Sequence, residues 1–257
     1  MTKTLSNSNS YLMPAEWEPH EAVWLGWPHN PADWPGKIAA IHFVYAEIVR
    51  RIVDSEDARI LVNDAVHEGK ARTILAKSNV PLTDVEFFHV PSNRGWTRDT
   101  GPIFVKRGDD NVVAGFRFNG WAKYDDHELD AKIAKTLANK LKKPYFKVER
   151  NNRHFVLEGG AIDVNGRGTL ITTEECLLDQ EVQVRNPGVT REEYEKVLAE
   201  TLGAANILWL NKGIAGDDTH GHVDDLCRFV DAKTVVLCRE SNSSDANYNL
   251  LEENRER

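Results

Sequence analysis

Apolar residues recur along the chain in blocks that alternate between helical and strand spacing. A strand-like "AVWLGW" (22–27) precedes Ile38, Ile41, Tyr45, Ile48 and Ile52, which trace the apolar face of an amphipathic helix. Asp64 is placed to cap a helix running to about Ser78, and a strand follows over Val85–Val90. The polar loop "PSNRGWTRDTGP" then leads into a hairpin of "IFVKR" and "VVAGFRFN" turned by "GDDN". A second helix is predicted over His127–Leu141, where Leu129, Ile133, Leu137 and Leu141 share one face. After it come a strand "YFKVE", a loop ending in "LEGG", and a hairpin "AIDV"/"TLITT" turned by "NGRG". The third helix begins at Thr190, has Glu193 in the capping-box position and ends at Gly203, a residue suited to a left-handed terminus. A strand "NILWL", the loop "GDDTHGHVDD" and a hairpin "CRFV"/"TVVLC" turned by "DAK" complete the third round.

Helix, strand, polar loop and hairpin thus occur three times in succession. The stretch "SDANYNLLEENRER", with Ser244 or Asp245 as cap and Tyr248 and Leu251 on one face, reads as the next unit's helix. A strand, a loop and a hairpin are expected after it, so the sequence reads as a truncated chain. The chemistry falls in one slot: "WTRDTGP", "LEGG" and "THGHVDD" each join a strand to the following hairpin. Identical slots in successive units of a closed arrangement face a common axis. Asp99, Glu158, His222 and Asp224 are therefore expected to meet.

Composition narrows the partners. The chain has 257 residues and a net charge of −8, from 32 basic and 40 acidic side chains. With no basic run longer than two residues, nucleic acid is not expected as a partner. An acidic surface favours a cationic small molecule, or serves solubility alone. Cys176, Cys227 and Cys238 form no CxxC pair and fit a reducing compartment. The N-terminus lacks the apolar run of a signal peptide, and no stretch approaches the ~18 apolar residues of a membrane helix. A cytoplasmic protein is expected, with a homo-oligomer left open.

Each motif admits a plain reading beside a chemical one. His220, His222 and Asp224 alternate as metal ligands would, yet no further His/Cys cluster offers a fourth. The same segment suits metal-free catalysis or a solvated loop. Asp99 sits in a rigid turn closed by Gly-Pro, where it either faces a ligand or pairs locally with Arg98. Glu158, at the end of an apolar run, must be paired if buried. His220 is given a loop-stabilising role. Asp217 and Asp218 either attract a cationic tail or are solvated turn residues. Trp96 either walls a pocket or belongs to the core.

"MPAEWEPHEAVWLGWPHN", "WTRDTGP", "GFRFNGWAKY", "LEGGAIDVNGRGTLITTEECLL" and "GDDTHGHVDD" together resemble the agmatine deiminase family, which includes bacterial peptidyl-arginine-deiminase-like proteins. The resemblance covers nearly the whole chain after the first ten or so residues. It implies an α/β fold, a pentein-type propeller of pseudo-symmetric ββαβ units around a central site, here incomplete at the C-terminus. One such domain would span residues 1–257, with 1–10 flexible. It implies that Asp99 and Asp224 grip a guanidinium and that Glu158 and His222 form the acid–base pair; beside them, Trp96 and Asp218 are expected to contribute to substrate binding. The family's nucleophile is a cysteine nearer the C-terminus than any residue here; Cys227 begins a strand and is assigned to the core, and Cys176 and Cys238 have no motif around them. The implied substrate is agmatine, with peptidyl or free arginine as the alternative, and no cofactor or metal is needed. Those alternative substrates call for an arginine near the substrate tail, which the sequence does not place.

Overall fold

The computed structural model describes residues 10–257; most of the N-terminal segment expected to be flexible lies outside these residues. The chain opens with β1 (Ala22–Gly26), α1 (Ile38–Ile52), β2 (Asp57–Val62), α2 (Ala65–Lys77) and β3 (Val85–His89), whose strands form a parallel sheet in the order β1-β2-β3. Helix α2 starts where its sequence dictates, because the Asp64 carboxylate accepts the His67 N–H. Helix α1 buries Ala46 and Val49, with Tyr45 and Ile52 beside them, while Ile48 is 40% exposed. The buried stripe is thus rotated from the one the isoleucines trace.

A one-turn helix α3 (Thr97–Thr100) leads into β4 (Ile103–Arg107), β5 (Asp110–Gly115), α4 (Ile133–Lys140) and β6 (Tyr145–Lys147). β4 and β5 are antiparallel, and β6 joins β5 in parallel after the α4 crossover. A ribbon, β7 (Glu149–Arg150) and β8 (Arg153–His154), precedes the next unit. That unit repeats the topology with β9 (Asp163–Val164), β10 (Thr169–Thr173), a short α5 (Glu174–Leu178), α6 (Arg191–Leu202) and β11 (Asn206–Leu210). The hairpin β12 (Cys227–Phe229) and β13 (Val235–Leu237) and helix α7 (Tyr248–Glu256) begin it a third time. The structural unit is therefore ββαβ, with the sequence-level repeat shifted in phase: each hairpin shares a sheet with the helix and strand that follow it.

Departures from the expected elements have local causes. The helix predicted from His127 starts as a 3-10 turn at Asp130, and α4 proper begins at Ile133. Upstream donors and acceptors are diverted to another loop: Asn93 Oδ1 takes the Leu129 N–H, and the Asp130 carboxylate takes those of Asn93 and Arg94. The strand over "YFKVE" breaks at Val148 because Asn151 and Asn152, both at positive φ, turn the chain into the β7–β8 ribbon. β5 stops at Gly115, and Arg117 instead bridges in parallel to Val156 of the neighbouring segment. Helix α7 starts after Asn247 rather than at Ser244 or Asp245.

Each pair of successive units shares an apolar cluster. Leu61 and Val90 meet Ile133 and Leu137 of α4. Ile103, Val105, Val112 and Ala114 of β4–β5 pack with Leu170 of β10 and Tyr194 and Leu198 of α6. Ile171 and Leu210 meet Val223, Leu226 and Cys227. Units joined side by side in this way turn the same edge inward, as in a propeller. Among the described residues no helix is long and apolar enough to cross a membrane.

The capping box at Thr190 and Glu193 forms as its sequence predicts. Helix α6 ends at Gly203 with φ +71°, where a Cβ would lie 2.3 Å from the Tyr11 carbonyl oxygen. Gly203→Ala should therefore lower the unfolding free energy by more than about 1 kcal/mol in urea titration, since both the backbone geometry and the space oppose a side chain.

Candidate active site

Every inter-unit loop ends in one helical turn just before its hairpin: α3 carries Asp99, the 3-10 turn Gly159–Ala161 follows Glu158, and the 3-10 turn Val223–Asp225 holds Asp224 directly after His222. These turns converge on the His222 imidazole. Its Nδ1 lies 3.7 Å from Asp99 Oδ1 and 3.9 Å from Asp224 Oδ1, and its Nε2 lies 3.9 Å from Glu158 Oε2. Three of the four residues named from sequence thus surround the ring of the fourth, with two carboxylates at one nitrogen and the third at the other.

The loops are held by polar contacts made inside the core. Asp99 accepts the Gly160 N–H and the Trp121 Nε1–H, each at 3.0 Å, rather than pairing with Arg98. Gly160 is required at this contact, because a Cβ there would lie 2.5 Å from His222 Nδ1 and 2.7 Å from Asp99 Oδ1. Asp217 spends both oxygens on its own loop, accepting the N–H groups of Thr219, Gly221 and His222. Its oxygens therefore organise the loop itself. His220 at positive φ binds Asp179 at 2.8 Å, as expected of a loop-stabilising residue. Thr172 donates to the Ala161 carbonyl and Thr173 to the Gly221 carbonyl, so the end of β10 ties the Glu158 loop to the His222 loop.

Electrostatics divide the carboxylates. Glu158 is fully buried and bound by the Arg185 guanidinium at 3.0 Å. Burial favours its neutral form, yet Arg185 outweighs this and holds the carboxyl below its ordinary range. Asp99 is pushed up by burial, reinforced by the nearby Glu158 charge. Asp224 is pushed up to about 6 by burial, with the Asp99 and Asp225 charges adding to it against His222. Burial opposes the charged form of His222, but Cys176, Glu158 and Asp99 around the ring hold it well above the usual imidazole range.

The remaining expected residues sit further out. Asp218 is exposed, with Lys123 on one oxygen and the Tyr124 hydroxyl on the other at 2.8 Å. Gln183 Nε2 links it inward, donating to the carbonyls of Trp121 and Asp218. The Trp96 ring packs on Trp34 with centroids 5.3 Å apart, while its carbonyl accepts the Asp99 and Thr100 N–H groups that close α3.

Residues 12–257 match the model of the Porphyromonas-type peptidyl-arginine deiminase family. The chain belongs to this family. It is 35% identical to an agmatine deiminase of Ectopseudomonas mendocina over 95% of its own length and 65% of the relative's. Among solved structures, the agmatine deiminase of Enterococcus faecalis superposes with a TM-score of 0.85 at 27% identity, covering 96% of this chain and 66% of that one. The C. jejuni agmatine deiminase with substrate bound gives 0.84 at 30% identity, covering 96% and 70%. The chain therefore spans about two thirds of the length of these relatives, and the deiminase fold is its fold.

Three residues of this deiminase-family site were not singled out from sequence. Trp121 lay inside the quoted "GFRFNGWAKY", but nothing local shows that its indole reaches Asp99. Arg185 answers the demand that a buried Glu158 have a partner, although 27 residues separate them. Cys176 has a sulfur within 4.8 Å of both Glu158 and His222 ligating atoms, so those three also meet the spacing of a metal-ligand set. Cys227 is buried, as assigned, with its thiol pushed up to about 11 by burial and the Asp163 charge. Arg185→Leu should destabilise the fold by roughly 3–5 kcal/mol in urea titration, because it strands a buried carboxylate, and adding Glu158→Gln should recover part of that loss.

Proposed function

We propose that the complete protein deiminates agmatine to N-carbamoylputrescine and ammonia, and that this chain supplies the guanidinium clamp and the proton shuttle of that reaction. The observation that carries the reading is the placement of Asp99 and Asp224 within 4 Å of the same His222 nitrogen, both with their charged forms disfavoured. Arg185 already balances Glu158. A protonated His222 leaves one of the two remaining carboxylates with no countercharge beyond an Arg98 already shared with Glu16, and a guanidinium provides it. Each carboxylate–guanidinium contact is charge-assisted and directional, worth roughly 4 kcal/mol at ~4 Å before desolvation is subtracted.

The guanidinium carbon is a poor electrophile, so a thiolate is the suitable attacker. In this reading it comes from the C-terminal cysteine that the family resemblance implies. Its attack forms a tetrahedral adduct, and ammonia leaves with a proton from His222 Nδ1. The same nitrogen then takes a proton from the water that hydrolyses the amidino-thioester and releases the thiolate. Glu158 stabilises the imidazolium from the opposite nitrogen. Lys123 already places an ammonium on Asp218, and the primary amine of agmatine would occupy the same acceptor. Trp96 and Trp121 would flank the bound cation, and the chain would form one part of a single propeller domain.

Arg98, at 3.7 Å from Asp224, favours a second reading in which the substrate carries a carboxylate, as free or peptidyl arginine does. Its guanidinium is already engaged by Glu16, which supports agmatine. Ammonia release measured on both substrates with the longer protein decides between them: faster release from agmatine is expected, and faster release from arginine overturns the choice. His222→Ala should abolish release while sparing the fold seen by circular dichroism.

Cation binding should also be pH-dependent with a defined sign. Asp99 and Asp224 hold protons more tightly in the empty site than beside a bound guanidinium, so binding expels protons from these carboxyls. Calorimetry with agmatine should show affinity falling below the Asp224 midpoint of about 6, the slope approaching about tenfold per pH unit as that one proton is expelled. Asp99→Asn should weaken binding at neutral pH, and an unchanged affinity would remove Asp99 from the clamp.

A further inference from the structure

The stretch "TTEECLL" carries a buried thiol that the guanidinium chemistry leaves unused. Cys176 sits in α5, where its N–H donates to the Thr173 hydroxyl that also binds the Gly221 carbonyl. One side chain thus fixes both the cysteine and the loop bearing His222. Glu175 adds a second tie by accepting the Gly213 N–H at 2.8 Å. The thiol packs in the apolar cluster with Tyr194 and lies within 4.8 Å of the His222 and Glu158 atoms. Those atoms face each other across 3.9 Å, too far for a direct hydrogen bond. Glu158 Oε2 and His222 Nε2 are both buried, and neither has another hydrogen-bond partner. Arg185 occupies Oε1 and leaves Oε2 free for a donor.

We propose that Cys176 is a positioning residue that bridges this gap, its sulfur accepting the inner N–H of His222 and its S–H donating to Glu158 Oε2. The bridge satisfies both orphaned atoms at once. A thiol is a weak donor and acceptor, so the bridge orients the ring without trapping it. It keeps one proton on Nε2 and leaves Nδ1, beside Asp99 and Asp224, as the nitrogen that exchanges protons. The high protonation midpoint of His222 accords with a sulfur acceptor on its inner side. The tautomer rests on geometry alone, while its catalytic consequence rests on the deiminase reading.

Nitrogen-15 NMR of histidine in the 257-residue chain tests the bridge. The native protein should show His222 with Nε2 protonated at high pH. Cys176→Ala or Cys176→Val should mix the two tautomers and lower the protonation midpoint by about one unit, a tenfold change in proton affinity. Cys176→Ser, which can accept and donate, should restore most of both. If an apolar variant that folds leaves tautomer and midpoint as in the native protein and changes only the melting temperature, Cys176 is a space-filler and the proposal fails. If neither apolar variant folds, Cys176→Ser still decides, since a hydroxyl in the bridge must preserve the Nε2 tautomer and its loss overturns the idea. In the complete enzyme the acid–base limb of the kcat/KM profile should move with the midpoint, and a limb that stays put refutes the catalytic consequence. Absence of any ammonia release from agmatine by the native complete enzyme would refute the deiminase reading while leaving the NMR result intact.

Discussion

Charge balance around one buried imidazole governs this molecule. Three carboxylates lie within 4 Å of His222, two of them almost wholly removed from water. Isolated charges in such a place are costly, and a protein normally pairs or neutralises them. The fold solves the problem fully for Glu158, by sending Arg185 to it, and only in part for Asp224, which has Arg98 at 3.7 Å. Burial raises the carboxyls of both Asp99 and Asp224, that of Asp224 to about 6. A site tuned in this way discriminates by charge before it discriminates by shape, because a neutral ligand cannot relieve it. Shape then follows from placement: the two acids approach the ring's one nitrogen from separate loops, which suits a flat cation with N–H groups along its edges.

Holding acids against their preference requires a stiff frame, and β10 with its continuation into α5 supplies much of it. Thr172 and Thr173 are fully buried, and their hydroxyls reach the two loops on either side. Asn254 of α7 completes the frame from the next unit, accepting the Asn211 N–H and donating to the Lys212 carbonyl at the start of the His222 loop. Backbone groups of the loops are thereby satisfied by side chains of rigid elements, as buried irregular segments require. The apolar clusters shared between neighbouring units then fix the angle at which each loop points inward.

Local signals were legible in the sequence wherever the cause was local. Asp64, Thr190 and Gly203 mark helix ends because capping involves residues three or four apart. The succession of helix, strand, loop and hairpin was visible because each element has its own period, whereas its grouping as ββαβ came from the family resemblance. The boundary at Asp130 was not, since Asn93 and Arg94, some 36 residues upstream, determine it. The Asn151–Asn152 turn was a missed local signal, as two asparagines suit a tight ribbon turn. Within the site, the four central residues were found through slot position and family resemblance. Trp121, Arg185 and Cys176 escaped because nothing beside them in sequence distinguishes a core side chain from one that touches a catalytic group.

The two nitrogens of His222 explain why these partners matter. At Nδ1 every neighbour is a carboxylate whose protonation can change when a cation arrives. At Nε2 the neighbours are a carboxylate already neutralised by Arg185 and a cysteine seated in the core. The inner side is therefore electrostatically settled, while the outer side is left responsive. In the proposed reaction the imidazole gives a proton and later takes one, and that asymmetry would suit it, because a ring free to exchange at either nitrogen could deliver its proton into the core. On that proposal, the buried pair of Glu158 and Arg185 would do more than fold the chain: by fixing the charge behind the ring, it would favour proton exchange in front of it.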